Sequence, residues 1–243
     1  MSSIKPIVIW GHDSGPNPYK VHIILEELSL PFEFKIVPFE DMKKEPFISI
    51  NPNGRVPAME DPNTGVTLWE SGAIVEYLID QYDKNHELSY DSVPEKYLVR
   101  QWIAYQISGQ GPYYGQGVWF SRIHTERLQS AVDRYFKEME RVRSVLDTHL
   151  SKSPSGWLVG DKITVADLSW VMWEQIATLI LGMDGISLEG KYPSYDAWFK
   201  KLMERKTVRR VLVKRTEGLR IGVGLPVPDP FEGYGDFKKQ ENL

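Results

Sequence analysis

The sequence predicts an α/β domain followed by an all-α domain. Over the first eighty residues, short apolar stretches typical of strands alternate with stretches of helical period. A polar segment at 84–94 interrupts this pattern, and beyond it the apolar residues recur at helical spacing. We therefore expect one domain at 1–83, a linker at 84–94, a helical domain at 95–220 and an irregular tail at 221–243.

The first half of the α/β domain has clear element signals. Residues 7–10 are predicted as a strand, and Asn17 before Pro18 predicts a helix N-cap with proline at the first helical position. The helix that follows carries its apolar residues on one face, at Val21, Ile24, Leu25 and Leu28. Apolar residues then alternate with charged ones over 32–36, which predicts a half-buried strand.

Two short motifs dominate the second half of this domain. A helical turn near 43–49 leads into the first, Asn-Pro-Asn-Gly-Arg-Val-Pro-Ala at 51–58, and the second is Trp-Glu-Ser-Gly at 69–72. Two short strands and a helix from about 71 to 82 complete a β-α-β-α-β-β-α order.

The two motifs together predict a site for a small anionic peptide. If the Val56–Pro57 bond is cis, the chain kinks there and the main-chain N–H and C=O of Val56 turn outward. Ser71 is predicted to cap the helix, whose free N–H groups and dipole attract a carboxylate, while Glu70 suits an ammonium group. A ligand with an amine and a carboxylate on one carbon and a peptide backbone further along fits both motifs, and glutathione is such a ligand.

The second domain is predicted to be helical throughout. A helix over 95–107 is expected to end at a glycine-rich break, 108–112, and a short helix over 113–120 follows. A long helix is predicted over 126–150, because its apolar residues step by three or four. Thr164 and Asp167 form a variant capping box that opens the next helix.

Taken together, these residues resemble a cytosolic glutathione transferase from about Pro6 to about Gly218. The motifs at 51–58 and 69–74, at this separation, are typical of that superfamily. The segments 11–21 and 108–120 are similar to the fungal class related to the nitrogen-regulating prion protein and to the bacterial nu class. The resemblance implies the glutathione transferase architecture, a thioredoxin-like domain with a C-terminal helical bundle. It also implies a homodimer, with glutathione as co-substrate and no permanently bound cofactor.

The resemblance also assigns candidate roles to individual residues. Asn17 is expected to contact the glutathione sulfur, with Ser14 as the alternative. The expected glutathione contacts are Arg55, Val56, Pro57, Glu70, Ser71 and, as a second cation, Lys44. A second-substrate pocket between the domains is expected to use Tyr113, Tyr114, Trp119, Phe120 and Arg122.

The composition excludes several other kinds of function. A net charge of −4 and a pI near 5.8 argue against a nucleic-acid or anionic-membrane partner. No apolar run reaches the ~18 residues of a spanning helix, and no signal-peptide pattern is present, so a cytoplasmic location is expected. With no cysteine, the chain has no thiol nucleophile of its own, and its five scattered histidines do not suggest a metal site.

The expected activity leaves two reactions open. One joins the glutathione thiolate to an apolar electrophile, and the other is glutathione-dependent reduction of a disulfide or a peroxide. A different class of function is also consistent with the family: a catalytically silent relative that binds partners or regulates. We favour an enzyme, because the candidate glutathione residues are all present.

Overall fold

The first part of the chain forms a four-stranded mixed sheet covered by helices. The computed structural model describes residues 4–223. The strands are β1 (Ile7–Gly11), β2 (Phe32–Ile36), β3 (Ala58–Asp61) and β4 (Val66–Trp69), and the helices are α1 (Pro16–Glu27), α2 (Phe47–Ile50) and α3 (Ser71–Tyr82). The strand order is β2-β1-β3-β4, with β1 parallel to β2 and the other pairs antiparallel. The predicted thioredoxin-like order is confirmed.

The helices of the second part are α4 (Glu95–Tyr105), α5 (Gly111–Val118), α6 (Gln129–Leu150), α7 (Val165–Leu168), α8 (Val171–Met183), α9 (Pro193–Met203) and α10 (Lys206–Val223). The predicted linker lies between α3 and α4, where 83–94 contains no helix or strand. Helix α10 continues past the predicted start of the tail at 221, and the rest of that tail, 224–243, lies outside the described residues.

The predicted break at 108–112 is wrong, because the chain stays helical there. Residues 106–110 form one wide π-type turn, in which the Gly111 N–H donates to the Gln106 carbonyl. Proline is tolerated in the first turn of a helix, and Pro112 occupies that place in α5. A second π-type turn at 119–123 extends α5 further.

Both predicted side-chain caps at the N-termini of α1 and α3 are also wrong. Gly15 is the N-cap of α1, so Asn17 is the second residue of the helix and lies in its first turn. Glu70 holds the N-cap position of α3, and no side chain caps that helix. Asn17 and Ser71 therefore keep their side chains for other partners.

The capping box of α7 is confirmed and extends into the core. Asp167 accepts hydrogen bonds from the main-chain N–H and hydroxyl of Thr164 at 2.9 and 3.0 Å, and from the Leu158 N–H and the Trp198 indole at 3.0 and 2.9 Å. Burial raises the pKa of Asp167, while these four donors oppose the shift. The carboxylate thus ties the loop before α7 to α9.

Helix α1 lies at the centre of the molecule. Its residues 18–25 are all buried, not only the predicted apolar face, because α3 packs on one side and α7, α8 and α10 on the others. Lys20 and His22 are consequently buried, each with 1% of its surface exposed. The N-terminus of α1 points to the junction of the two domains.

Candidate functional site

A cavity of about 640 Å³ lies where the sheet domain meets α5 and α8, a size within the range of small-molecule sites. Its walls come from both predicted motifs, from the start of α1 and from the helical domain. The lining residues are Asn17, Asn51, Asn53, Arg55, Val56, Pro57, Glu70, Ser71, Gln106, Ile107, Gly111, Pro112, Gly115, Gln116, Trp119 and Trp173.

The turn at 51–55 is held by the buried Asn51. Its amide N–H₂ donates to the Arg55 carbonyl, and its amide oxygen accepts from the Asn53 N–H at 3.0 Å. Gly54 has φ +60°, and a Cβ there would lie 3.0 Å from the Met42 carbonyl oxygen, so any other residue would be strained. The Arg55 side chain is exposed at the cavity and has no ion pair within the described residues.

Val56 presents its main chain to the same cavity. The Val56–Pro57 bond is cis, as the sequence suggested. Strand β3 begins only at Ala58, and no hydrogen bond from the described part of the chain engages the Val56 N–H or C=O. An extended peptide could therefore pair with this residue.

Glu70 and Ser71 form the wall next to Val56 and Pro57, because Ala58 of β3 pairs with Trp69 of β4. Glu70 has φ +72° and ψ 114°, an uncommon conformation for a residue with a side chain and one found preferentially at ligand sites. Ser71 is buried, and its hydroxyl has no hydrogen bond within the described chain. The first N–H groups of the twelve-residue α3 also open here, so this wall offers donors and a positive dipole beside one carboxylate.

Asn17, at the start of α1, lines the same cavity and contacts the helical domain. Its amide oxygen accepts a hydrogen bond of 3.0 Å from the indole N–H of Trp173, on α8. Its amide nitrogen has no partner among the described residues, and the residue lines the cavity. No local signal in the sequence pointed to Trp173.

The other candidate for the sulfur contact, Ser14, does not line the cavity. Its hydroxyl and main-chain N–H lie 2.9 and 3.2 Å from His12 Nδ1, and its carbonyl accepts from Arg215 of α10. Lys44 is likewise outside the cavity, and its ammonium group pairs with Asp41 at 3.1 Å on the surface. The structure therefore does not bring these two side chains to the other candidates.

Of the five residues predicted for a second-substrate pocket, only Trp119 lines the cavity. Tyr114 is fully buried, and its hydroxyl donates to Glu174 at 2.8 Å. Phe120 stacks on Tyr135, and Tyr113 lies beneath the guanidinium group of Arg141. Arg122 donates to the carboxylate of Asp184 at 2.8 Å. These four belong to the helical core and its salt bridges, because their helix faces α6 and α8.

A buried polar chain runs from the cavity wall into the helical domain. The Lys20 ammonium group donates to the amide oxygen of Gln106 at 2.8 Å, Gln106 donates to Gln110, and Gln110 donates to Glu174. Arg143, Tyr114 and Tyr195 supply three further donors to that carboxylate. Burial lowers the pKa of Lys20 to about 7, and the negative charge of Glu70 opposes the shift. The two glutamines were not predicted as part of the site, because Gln110 falls in the glycine-rich segment that the sequence predicts as a break.

Within residues 4–223, no group of three or more histidine, cysteine, aspartate and glutamate side chains is arranged to hold a metal ion. The same residues contain no helix long and apolar enough to cross a membrane.

Comparison with known proteins identifies the family. A model of the glutathione S-transferase N-terminal domain matches residues 14–81, and a model of the C-terminal domain matches residues 112–206. The glutathione S-transferase-like protein gedE of Aspergillus terreus is 46% identical over 220 residues, covering 87% of this chain and 96% of its own. The chain belongs to the glutathione S-transferase family.

Solved structures show which class of glutathione transferase the chain resembles. The transferase URE2P6 of Phanerochaete chrysosporium, crystallised with oxidized glutathione, matches with a TM-score of 0.83 and 42% identity, covering 88% of this chain and 98% of that one. Ure2p5 from the same organism, cocrystallised with 1-(S-glutathionyl)-2,4-dinitrobenzene, matches with a TM-score of 0.81 and 37% identity over 90% and 98% of the two chains. The predicted likeness to the fungal class related to the nitrogen-regulating prion protein is confirmed.

Proposed function

We propose that this chain is a glutathione transferase that binds glutathione in the interdomain cavity and activates its thiol. One observation carries the proposal: the Asn17 amide, the unpaired main chain of Val56 and the N-terminus of α3 open onto one cavity. The γ-glutamyl carboxylate lies at the α3 N-terminus and Ser71, and its ammonium group pairs with Glu70. Val56 binds the peptide main chain, and Arg55 pairs with the glycyl carboxylate.

The thiol then lies beside Asn17, at the N-terminus of α1. A free thiol with a pKa of ~8.5 is only about 3% ionised at pH 7. Lowering that pKa by about 2 units requires ~2.7 kcal/mol of preferential stabilisation of the thiolate. A charge-assisted hydrogen bond from the Asn17 amide and the dipole of the helix are sources of that order. The thiol proton leaves to solvent.

In the conjugation reaction, the bound thiolate attacks an electrophilic carbon, forming a C–S bond and displacing the leaving group. Trp119, Ile107 and Pro112 supply the apolar part of the cavity for such a substrate. The relative Ure2p5, cocrystallised with a glutathione conjugate of an aromatic ring, supports this class of substrate.

Disulfide reduction is the second candidate, because the cavity wall also carries the exposed amide side chains of Gln116 and Asn53. These donors and acceptors suit a second peptide better than an apolar ring. The thiolate would attack one disulfide sulfur, and the other would leave as a thiolate that takes a proton. A second glutathione would then release oxidised glutathione, since the chain has no cysteine of its own. The complex of URE2P6 with oxidized glutathione supports this candidate.

We infer a cytoplasmic homodimer from the family resemblance, in which each subunit carries its own glutathione site.

A paired assay on the purified protein tests the function. The rate of glutathione conjugation to an aromatic chloronitro electrophile is compared with the rate of glutathione-dependent reduction of a small mixed disulfide. We expect at least one rate well above the uncatalysed reaction, together with a rise in melting temperature in millimolar glutathione. If the protein catalyses neither reaction and glutathione does not raise its melting temperature, the protein is a silent relative and the proposal is wrong.

A further inference from the structure

The contact between Trp173 and Asn17 determines how the Asn17 amide is oriented. An indole N–H is only a donor, so the amide atom that faces it at 3.0 Å must be the oxygen. The amide nitrogen is thereby turned away from Trp173, and it has no hydrogen-bond partner within the described residues. Both side chains line the cavity, so Asn17 offers donors and not a lone pair to a ligand there.

Helix α5 provides the surface on which Trp173 lies. A Cβ at Gly115 would meet the Trp173 ring at 3.3 Å, and a Cβ at Gly111 would lie 3.6 Å from its indole nitrogen. These two glycines are four residues apart, so both lie on the same face of the helix. A side chain at Gly115 would crowd the half-buried indole, which reaches across from α8 to α1, whereas one at Gly111 would only touch it.

We propose that Trp173 is a positioning residue for the thiol chemistry: its indole N–H holds the Asn17 amide so that the N–H₂ group faces the glutathione sulfur. This inference rests on the proposed function, because it requires the sulfur to lie beside Asn17. Without the indole donor, the amide is free to flip and to place its oxygen, with its partial negative charge, against the thiolate. Trp173 itself touches Asn17 and does not donate to the sulfur.

The test measures the thiol pKa of bound glutathione from the ultraviolet absorbance of the thiolate as a function of pH. In Trp173→Phe we expect that pKa to rise by about one unit, the size of a lost charge-assisted hydrogen bond. Turnover should fall about tenfold near neutral pH and recover at alkaline pH, where the thiol ionises without help. The KM for glutathione should change less than about twofold, because the peptide contacts remain.

Three variants complete the experiment. Trp10→Phe is the matched control, since it removes another half-buried indole hydrogen bond, to Glu60 at 2.6 Å, outside the cavity. It should leave the thiol pKa unchanged. Asn17→Ala gives the full rise in the thiol pKa that results from loss of the amide. Trp173→His keeps a ring N–H and should give a thiol pKa below that of Asn17→Ala, which keeps the test valid if the phenylalanine variant does not fold.

The outcomes separate this inference from the proposed function. If the wild-type protein does not lower the glutathione thiol pKa, both are overturned. If Asn17→Ala raises that pKa and Trp173→Phe does not, the role of Trp173 is overturned and the proposed function stands. The role of Trp173 is also overturned if the thiol pKa in Trp173→His equals that in Asn17→Ala. A shift in Trp173→Phe that is absent in Trp10→Phe supports it.

Discussion

At the scale of single residues, the sequence around Asn17 leaves its side chain as the main donor at the start of α1. Pro16 and Pro18 flank it, and neither has a main-chain N–H. Most helix N-termini offer several such groups to an anion, whereas this one offers few. The side-chain amide therefore supplies what the main chain lacks.

Substitution of Asn17 and Ser14 tests this assignment. We expect Asn17→Ala to lose more than about tenfold in kcat, or ~1.4 kcal/mol of transition-state stabilisation, because the thiolate loses its donor. Ser14→Ala should stay within about twofold, since the Ser14 hydroxyl is engaged by His12 outside the cavity. Steady-state kinetics with saturating glutathione measures both. A larger loss in the serine variant would exclude Asn17 as the main sulfur contact.

At the scale of elements, the turn between α2 and β3 was predictable because its constraints are local. Asparagine and glycine at 51 and 54 are residues that this tight turn requires, and proline at 57 delays the start of β3. The N-cap of α1 was predicted two residues too late, because Asn17-Pro18 is a good start signal but so is Gly15-Pro16. Local sequence preference alone does not choose between two possible N-caps that lie two residues apart.

The turn provides a matched pair of glycine variants. Gly54→Ala forces φ +60° on alanine and brings a methyl group 3.0 Å from the Met42 carbonyl, whereas Gly65→Ala faces φ +76° with nothing within 4 Å. We expect Gly65→Ala to lower the free energy of unfolding by about 1 kcal/mol and Gly54→Ala by more, about 2–3 kcal/mol. Thermal unfolding measures the difference.

Only Gly54→Ala should also raise the KM for glutathione, because the turn carries Arg55 and Val56 into the cavity. Equal stability and equal KM in the two variants would show that the turn does not position the site.

At the scale of the whole molecule, docking of the helical domain buries a lysine beside the site. Lys20 follows Asn17 by one turn of α1 and is buried because the helical domain covers it. Its hydrogen-bond partner, Gln106, belongs to that second domain and also lines the cavity. The Glu174 carboxylate, which only accepts, fixes the direction of the two glutamine amides, so that Gln106 turns its oxygen to Lys20.

The buried lysine predicts a pH dependence of stability. Burial lowers the pKa of Lys20 from 10.5 in the unfolded chain to about 7. Between these values the unfolded chain binds the extra proton, so stability rises with pH, by up to ~1.4 kcal/mol per pH unit from this group. We expect the wild-type protein to gain about 1 kcal/mol per unit over Lys20→Met between about pH 7.5 and about pH 9.

Urea unfolding at several pH values measures that difference. Lys35→Met is the control, because it removes a half-buried lysine that lies over the Trp10 ring, and this variant should show the same pH dependence as the wild-type protein. Parallel curves for Lys20→Met and the wild-type protein would mean that Lys20 stays protonated in the folded state.

The sequence by itself determined the order of elements, the turn at 51–58, the Glu70–Ser71 wall and the capping box of α7. Each of these depends on residues within a few positions of one another, whose steric and hydrogen-bonding preferences act locally. The tertiary structure alone decided the orientation of the Asn17 amide, because its partner Trp173 lies 156 residues away. It likewise placed Tyr114 in the core and Gln106 at the cavity, since helical spacing gives the faces of a helix but not the neighbour that each face meets.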